Sequence, residues 1–212
     1  MRFLCISDIH GHVAALEAVL AEGRVRAAEQ LLVAGDLLFP GPAPLDTWRL
    51  LLAEKAVAVQ GLGDRALAQV DPTKLRAKDP AQAARIAQLA ATRAALGELI
   101  LARLAKLPTV ARLPLENGNE LVLVHGSPAD PTEPFTADMT DDELSALVGD
   151  DPADIIVAGG SHVPFHRQLD GVHIVGVGSV GEAPSGEVAH ATLIDAGPLG
   201  VSLEQFEVPL PR

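Results

Sequence analysis

Five apolar runs in this chain each end in a short glycine-bearing loop, and every one of those loops carries an aspartate or a histidine. Residues 2–7 lead into Asp8-Ile9-His10-Gly11-His12, and residues 30–34 end at Gly35-Asp36. Residues 56–59 run to Gly61-Leu62-Gly63-Asp64, residues 120–124 to His125-Gly126, and residues 154–158 to Gly159-Gly160-Ser161-His162. Short apolar runs bounded by glycine read as buried strands. Residues 13–22, with Leu16, Val19 and Leu20 on one face, and residues 45–54 read as helices between the first three runs. Strand–helix alternation implies right-handed crossovers and a largely parallel sheet. In such a sheet the loops beyond the carboxyl ends of the strands converge in space, and ligands bind there.

The second half changes character. Residues 110–116 and 120–124 flank Asn117-Gly118, a strong hairpin signal. Thr140 and Glu143 form a capping-box pattern that opens a short helix ending at Val148. Further hairpins are expected around Asp170-Gly171 and around residues 197–200. Residues 80–107 carry Ile86, Leu89, Leu96, Leu99, Ile100, Leu104 and Leu107 at helical spacing. The spacing predicts one long helix or two packed ones with a core-facing stripe, stopped by Pro108. The chain shows no repeat, low-complexity tract or long linker. Residues 1–212 are therefore expected to form one domain, with residues 72–107 as a helical cap or insertion.

Composition narrows the function. The 212 residues carry a formal net charge of −12, which repels phosphate backbones, so no nucleic-acid partner is expected. There is no Tyr and a single Trp, Trp48, which argues against base-stacking platforms. The one cysteine, Cys5, lies in an apolar run and reads as a structural thiol in a reducing compartment. Asp8 and His10 interrupt the apolar start, so no signal peptide is expected. No apolar stretch reaches the roughly 18 residues that span a bilayer, so no membrane partner is expected either. These readings place the chain in the cytoplasm.

Taken singly, each loop residue has an ordinary reading. Asp8 could cap the first helix, His12 could be a loop residue, and Asp36 a turn former. Jointly, Asp8, His10, Asp36, Asp64, His125 and His162 at strand ends point to a metal site. Carboxylate oxygen together with neutral imidazole nitrogen suits divalent Mn, Fe or Zn. His173 and His190 lie within strands and read as core or edge residues. Ser127 and Ser179 read as partners of loop backbone, since no base accompanies them. Arg65 could contact phosphate as a planar donor or pair with a nearby carboxylate.

These loops resemble, in order, the motifs of the calcineurin-like metallophosphoesterase superfamily. Asp8-Ile9-His10 is similar to the opening Asp-x-His motif, and Gly35-Asp36 to the second motif. Gly61-Leu62-Gly63-Asp64 resembles the third, usually Gly-Asn-His/Cys-Asp, and His125-Gly126 the fourth. Gly160-Ser161-His162-Val163-Pro164-Phe165 resembles the fifth, usually His-Thr-His-x-Pro-Phe after glycine. Gly178-Ser179-Val180-Gly181 and Gly41-Pro42-Ala43-Pro44 resemble loops of the small bacterial and archaeal branch. The resemblance implies an α/β fold, a four-layer α-β-β-α sandwich of two mixed sheets flanked by helices. It also implies hydrolysis of a small phosphorylated substrate, a phosphodiester or phosphomonoester, by metal-activated water. By resemblance Asp8, His10, Asp36 and His162 form the first metal site. Asp36 bridges to a second site that includes His125, and Asp36, His125 and Asp64 carry the catalytic roles.

The departures concentrate on the second site. The third-motif Asn falls on Leu62, the first fifth-motif His on Gly160, and the residue that often protonates the leaving group on Gly63. The first site keeps every protein ligand, while the second keeps Asp36 and His125. His12 and His166 are candidate replacements, each with the alternative of a solvated loop histidine. Three readings follow: a hydrolase with one firmly bound ion, a non-catalytic binding or scaffold protein with one residual ion, and a protein-phosphatase-like enzyme. The last is disfavoured, because Phe39-Pro40-Gly41 stands where Asp-Arg-Gly is expected.

Overall fold

A computed structural model describes residues 1–116, 118–197 and 200–210. The first half alternates as read through β3, namely β1 (Arg2–Ile6), α1 (Val13–Val25), β2 (Gln30–Val33), α2 (Pro44–Ala53) and β3 (Val57–Ala58). It then adds a helix not expected from the sequence, α3 (Leu62–Gln69), which begins within the third strand-end loop. A 3-10 turn at Pro72–Lys74 leads into α4 (Pro80–Leu104). Then come β4 (Val110–Pro114), β5 (Glu120–Val124), α5 (Asp141–Val148), β6 (Ile155–Ala158), β7 (Pro164–Leu169), β8 (Val172–Val177), β9 (Val188–Gly197) and β10 (Gly200–Pro209).

The strands form two five-stranded mixed sheets, ordered β10-β9-β1-β2-β3 and β4-β5-β6-β8-β7. In the first sheet the parallel run β1–β2–β3 forms one half, with β3 at the edge and the antiparallel β9 and β10 beyond β1. In the second the parallel run β5–β6–β8 is central, flanked by the antiparallel β4 and β7. The period-two alternation of side chains then produces three apolar layers. Phe3 and Cys5 of β1 meet Leu121, Leu123, Ile155 and Val157 of the facing sheet. Leu4 and Ile6 point the other way, into Leu16, Val19, Trp48 and Leu67 of the covering helices. Val122, Val124 and Ile156 pack under Leu144 of α5. The result is a four-layer α-β-β-α sandwich. Because the central strands are covered on both faces, they are nearly continuous apolar runs.

Several local expectations change. The segment expected as one helix or two is two helical stretches joined at Gly97, which is non-helical with φ 72°. The first helix runs on to Val25, and its N-cap is His12 rather than Asp8. The first hairpin has a longer loop than a two-residue turn: Pro114 pairs with Glu120, and Gly118 N–H donates to the Leu115 carbonyl at 3.0 Å. Asn117 lies outside the described residues, as do residues 198 and 199 of the last expected hairpin. The hairpin at Asp170-Gly171 joins β7 to β8, and the Thr140–Glu143 capping box is formed. Cys5 is fully buried, and burial pushes its thiol up, consistent with a packing role. Among the described residues no helix is long and apolar enough to cross a membrane.

Candidate metal centre

The loops after β1, β2, β5 and β6 meet where the two sheets face each other. His125 Nδ1 lies 2.8 Å from the Ala34 carbonyl, and Ser7 Oγ donates to the same carbonyl at 2.8 Å. Gly159 is needed at this junction, since a Cβ there would stand 2.0 Å from Ser7 Oγ. Gly160 N–H donates to Asp8 Oδ2 at 2.9 Å, and so ties a β6 loop to a β1 loop.

Five side chains converge here. Among the described residues, ligand atoms lying within 4.8 Å of one another form two triads, Asp8–His10–His162 and Asp8–Asp36–His125. Asp36, expected to bridge two sites, falls in the second triad only, and the carboxylate common to both is Asp8. Asp36 still reaches both sides: its Oδ2 stands 3.7 Å from His125 Nε2 and 4.0 Å from His10 Nε2. Asp8, His10, Asp36 and His162 all have positive φ, of 52°, 49°, 51° and 59°. For residues with a side chain this costs on the order of 1 kcal/mol each, and such strain collects at functional sites.

The hydrogen bonds fit a cation. His10, His125 and His162 each direct Nδ1 at a backbone carbonyl, of Phe39 (2.5 Å), Ala34 (2.8 Å) and Glu182 (3.1 Å). A carbonyl can only accept, so each Nδ1 is the donor and each neutral ring presents a lone pair at Nε2. Those Nε2 atoms crowd one another: His10 and His162 are 3.3 Å apart, and His162 Nε2 is 3.2 Å from Asp8 Oδ1. Asp8 Oδ1 is buried and, while His162 is neutral with its proton on Nδ1, has no hydrogen-bond donor. A buried, unpartnered carboxylate oxygen facing imidazole lone pairs requires a proton or a cation between them. In the ion-free chain a proton serves. The bond to Asp8, outweighing burial, raises His162 above the usual histidine range. Burial pushes Asp8 up, but His162, His125 and the Gly160 N–H together hold it below the usual carboxylate range. The donor set, hard oxygen with imidazole nitrogen, suits divalent Mn, Fe or Zn.

Asp64 sits one layer behind. It is completely buried and accepts from Leu37 N–H at 3.0 and 3.2 Å and from Gly61 N–H at 3.1 Å. Burial, then the charge of Asp36, push it up to about 7. Asp64 thereby latches the loop after β2 to the start of α3. Asp36 lies at that helix N-terminus, and its Oδ1 accepts from Gly63 N–H at 2.7 Å. Asp64→Ala should leave two buried N–H groups without acceptors. The expected loss is roughly 2–5 kcal/mol, or on the order of 10 °C in Tm for a chain of this size. Calorimetry of the ion-free protein checks it, and an unchanged Tm would refute the latch.

Other candidates fall elsewhere. His166 stacks on His173, with Nε2 3.0 Å from Nδ1, and joins neither triad. His12 is the N-cap residue of α1 without a side-chain cap bond, is pushed down by burial, and is likewise outside both triads. Arg65 donates to Gln69 rather than to a carboxylate. Ser127 bonds the Asp130 backbone and Ser179 the Asp8 carbonyl, as expected of loop serines. Sequence reasoning missed Glu182. Its carbonyl holds His162, and its Oε2 is 3.6 Å from His10 Nε2. It directly follows Gly178-Ser179-Val180-Gly181, which was the available signal.

The centre forms the floor of a cavity of about 730 Å³, lined by His10, Asp36, His162 and Glu182 below and by α3, α4 and the segment between them above. The sequence profile described as calcineurin-like phosphoesterase superfamily domain matches residues 1–197. The chain belongs to that superfamily. No curated protein matches the sequence. Among solved structures, a hypothetical protein of Pyrococcus horikoshii OT3 is similar over 100% of this chain and 89% of its own, at 20% identity and TM-score 0.81. A metallophosphoesterase of Sphaerobacter thermophilus is similar over 98% and 89%, at 24% identity and TM-score 0.76. Chaetomium thermophilum Vps29 is similar over 100% and 98%, at 15% identity and TM-score 0.55. At these identities the likenesses speak to fold. This superfamily member keeps the strand-end loops but has Leu62, Gly63 and Gly160 at three motif positions.

Proposed function

We propose that this protein is a metal-dependent phosphoesterase that hydrolyses a phosphodiester or small phosphomonoester. The observation that carries the reading is the buried Asp8 Oδ1, held among convergent imidazole lone pairs behind His10 and His162, which line a cavity. A divalent ion bound there supplies Lewis acidity toward a phosphoryl oxygen and acidifies water. The chain's own residues do the rest. Asp8, His10 and His162 hold one side of the centre, while Asp36 and His125 hold the other. The Nδ1–carbonyl bonds fix each ring, and Asp64 positions Asp36 through the Leu37–Gly61 latch. Hydrolysis adds water across phosphorus, breaks the bond to the leaving oxygen and returns a proton to solvent or to the departing alkoxide. Gly63 offers no side chain to protonate that oxygen. Activated aryl esters, which leave as stable phenolates, should therefore be cleaved best.

The test is hydrolysis of bis(4-nitrophenyl) phosphate by protein purified without chelator, together with its metal content. Low but measurable activity that rises with Mn and vanishes on chelation is expected. Activity that survives both chelation and Asp36→Ala would sink the proposal. A second reading rests on Leu62 and Gly160, which leave the surroundings of His125 without two side-chain donors: a non-catalytic binding protein with one residual ion. Inactivity toward every ester tried, with metal bound, would favour it.

A further inference from the structure

The cavity above the centre has an unusual wall. Leu62, Leu75, Ile86 and Leu89 face it, and Leu62 is 48% exposed although it is a large apolar residue. Leu62 occupies the motif position where a polar donor is expected, so the change that weakens the second metal site also makes the cavity wall apolar. Arg76 and Arg85 line the same cavity. The chain has 28 acidic and 16 basic residues. Arg2, Arg24, Arg26, Arg49, Arg112 and Arg167 all pair with carboxylates. Among the described residues neither Arg76 nor Arg85 has a carboxylate at ion-pair distance. The Arg85 guanidinium instead stands 5.6 Å over the Phe39 ring, and the Phe39 carbonyl holds His10 at 2.5 Å. Arg85 thus lines the same cavity as the metal centre, with no carboxylate partner among the described residues. A guanidinium in this setting is a planar donor for an anionic oxygen.

Resting on the phosphoesterase reading, we propose that the substrate is an elongated amphiphilic phosphoester. Its phosphoryl group lies at Asp8, His10 and His162. An apolar aryl or alkyl group lies along Leu62, Leu75, Ile86 and Leu89, and a second anionic group reaches Arg76 and Arg85. The apolar middle gains by leaving water, at about 0.8 kcal/mol per buried methylene, which is roughly fourfold each. Two guanidiniums without carboxylate partners among the described residues supply positive charge in the cavity of a −12 protein.

The experiment uses Mn-loaded protein and three esters with one leaving group: 4-nitrophenyl methyl, hexyl and 5-carboxypentyl phosphate. KM for the hexyl ester should fall at least about tenfold below the methyl ester, since several methylenes are partly buried. The carboxypentyl ester should fall roughly threefold further. That last ratio should disappear in Arg76→Ala/Arg85→Ala, and the hexyl-to-methyl ratio should shrink in Leu75→Ser/Ile86→Ser. Equal KM for methyl and hexyl esters, with Mn-dependent turnover intact, would overturn this inference and leave the hydrolase reading standing. If no ester is turned over, calorimetry with methylphosphonate and hexylphosphonate decides. A hexyl preference of about tenfold or more in Kd supports the ligand class and counts against the hydrolase. Equal Kd values overturn the inference as well.

Discussion

Asp8→Asn is expected to raise the thermal stability of the ion-free protein and to weaken Mn binding by at least about 100-fold, or roughly 2.7 kcal/mol. Both effects have one cause. Asp8 is completely buried, with Oδ2 satisfied by Gly160 N–H and Oδ1 unpartnered 3.2 Å from His162 Nε2. Asparagine can keep the first bond through its carbonyl and turn its amide toward the imidazole lone pair. The backbone does not oppose the change, because asparagine tolerates the left-handed conformation that Asp8 adopts at φ 52°. Relieving a buried unpaired charge is worth on the order of 1–3 kcal/mol, or several degrees of Tm at this size. The comparison belongs at mildly alkaline pH, because at lower pH a proton on His162 already satisfies Asp8. Mn should raise the Tm of the parent protein and leave Asp8→Asn unmoved. Unchanged Mn affinity would remove Asp8 from the centre. A lower ion-free Tm would show that Oδ1 is not strained by its isolation.

The same arrangement explains what could and could not be read beforehand. Asp8, His10, Asp36, His125 and His162 were visible because parallel strands place their carboxyl-end loops together, whatever their separation in sequence. Leu62 and Gly160 were visible as gaps for the same reason. The facing of the strands followed from period-two alternation, so Phe3 and Cys5 lie on one side of β1 and Leu4 and Ile6 on the other. The part played by Asp64 was not readable. Whether a loop carboxylate faces a ligand or turns inward depends on which N–H groups reach it, and Leu37 and Gly61 come from different loops. Glu182 and the pair Arg76 and Arg85 belong to segments far apart in sequence that meet around the cavity. The long hairpin loop before β5, across which Pro114 pairs with Glu120, shows that a turn signal in the sequence does not set the register of its strands. The Gly97 break similarly hides inside an apolar stripe that continues on both sides of it.

Restoring the missing donors should create a second metal site. In Leu62→Asn/Gly160→His the set around His125 would regain an amide and an imidazole. A Cβ at position 160 would lie 3.6 Å from His125 Nε2, on the side where a partner ligand is missing. Leu62 is the first residue of α3 and half exposed, so asparagine there costs little packing. Gly160 is the harder position. Its φ of 75° costs a side chain on the order of 1 kcal/mol, and the new Cβ would stand 3.1 Å from Pro134 Cβ. His162 already accepts a similar backbone at φ 59°, so the loop can hold histidine there once Pro134 shifts by a few tenths of an ångström. A Tm loss of a few degrees is expected. Mn stoichiometry should rise to two per chain. Hydrolysis of 4-nitrophenyl methyl phosphate should increase at least about tenfold, roughly 1.4 kcal/mol of barrier, because paired ions hold both the entering and the departing oxygen of an in-line displacement. That small ester is the right probe, since removing Leu62 also removes apolar wall and would confound a longer one. A folded variant with two ions and no gain in rate would place the defect at Gly63, where no acid meets the leaving oxygen. A folded variant that still binds one ion would mean that positions 62 and 160 do not border the second site at all.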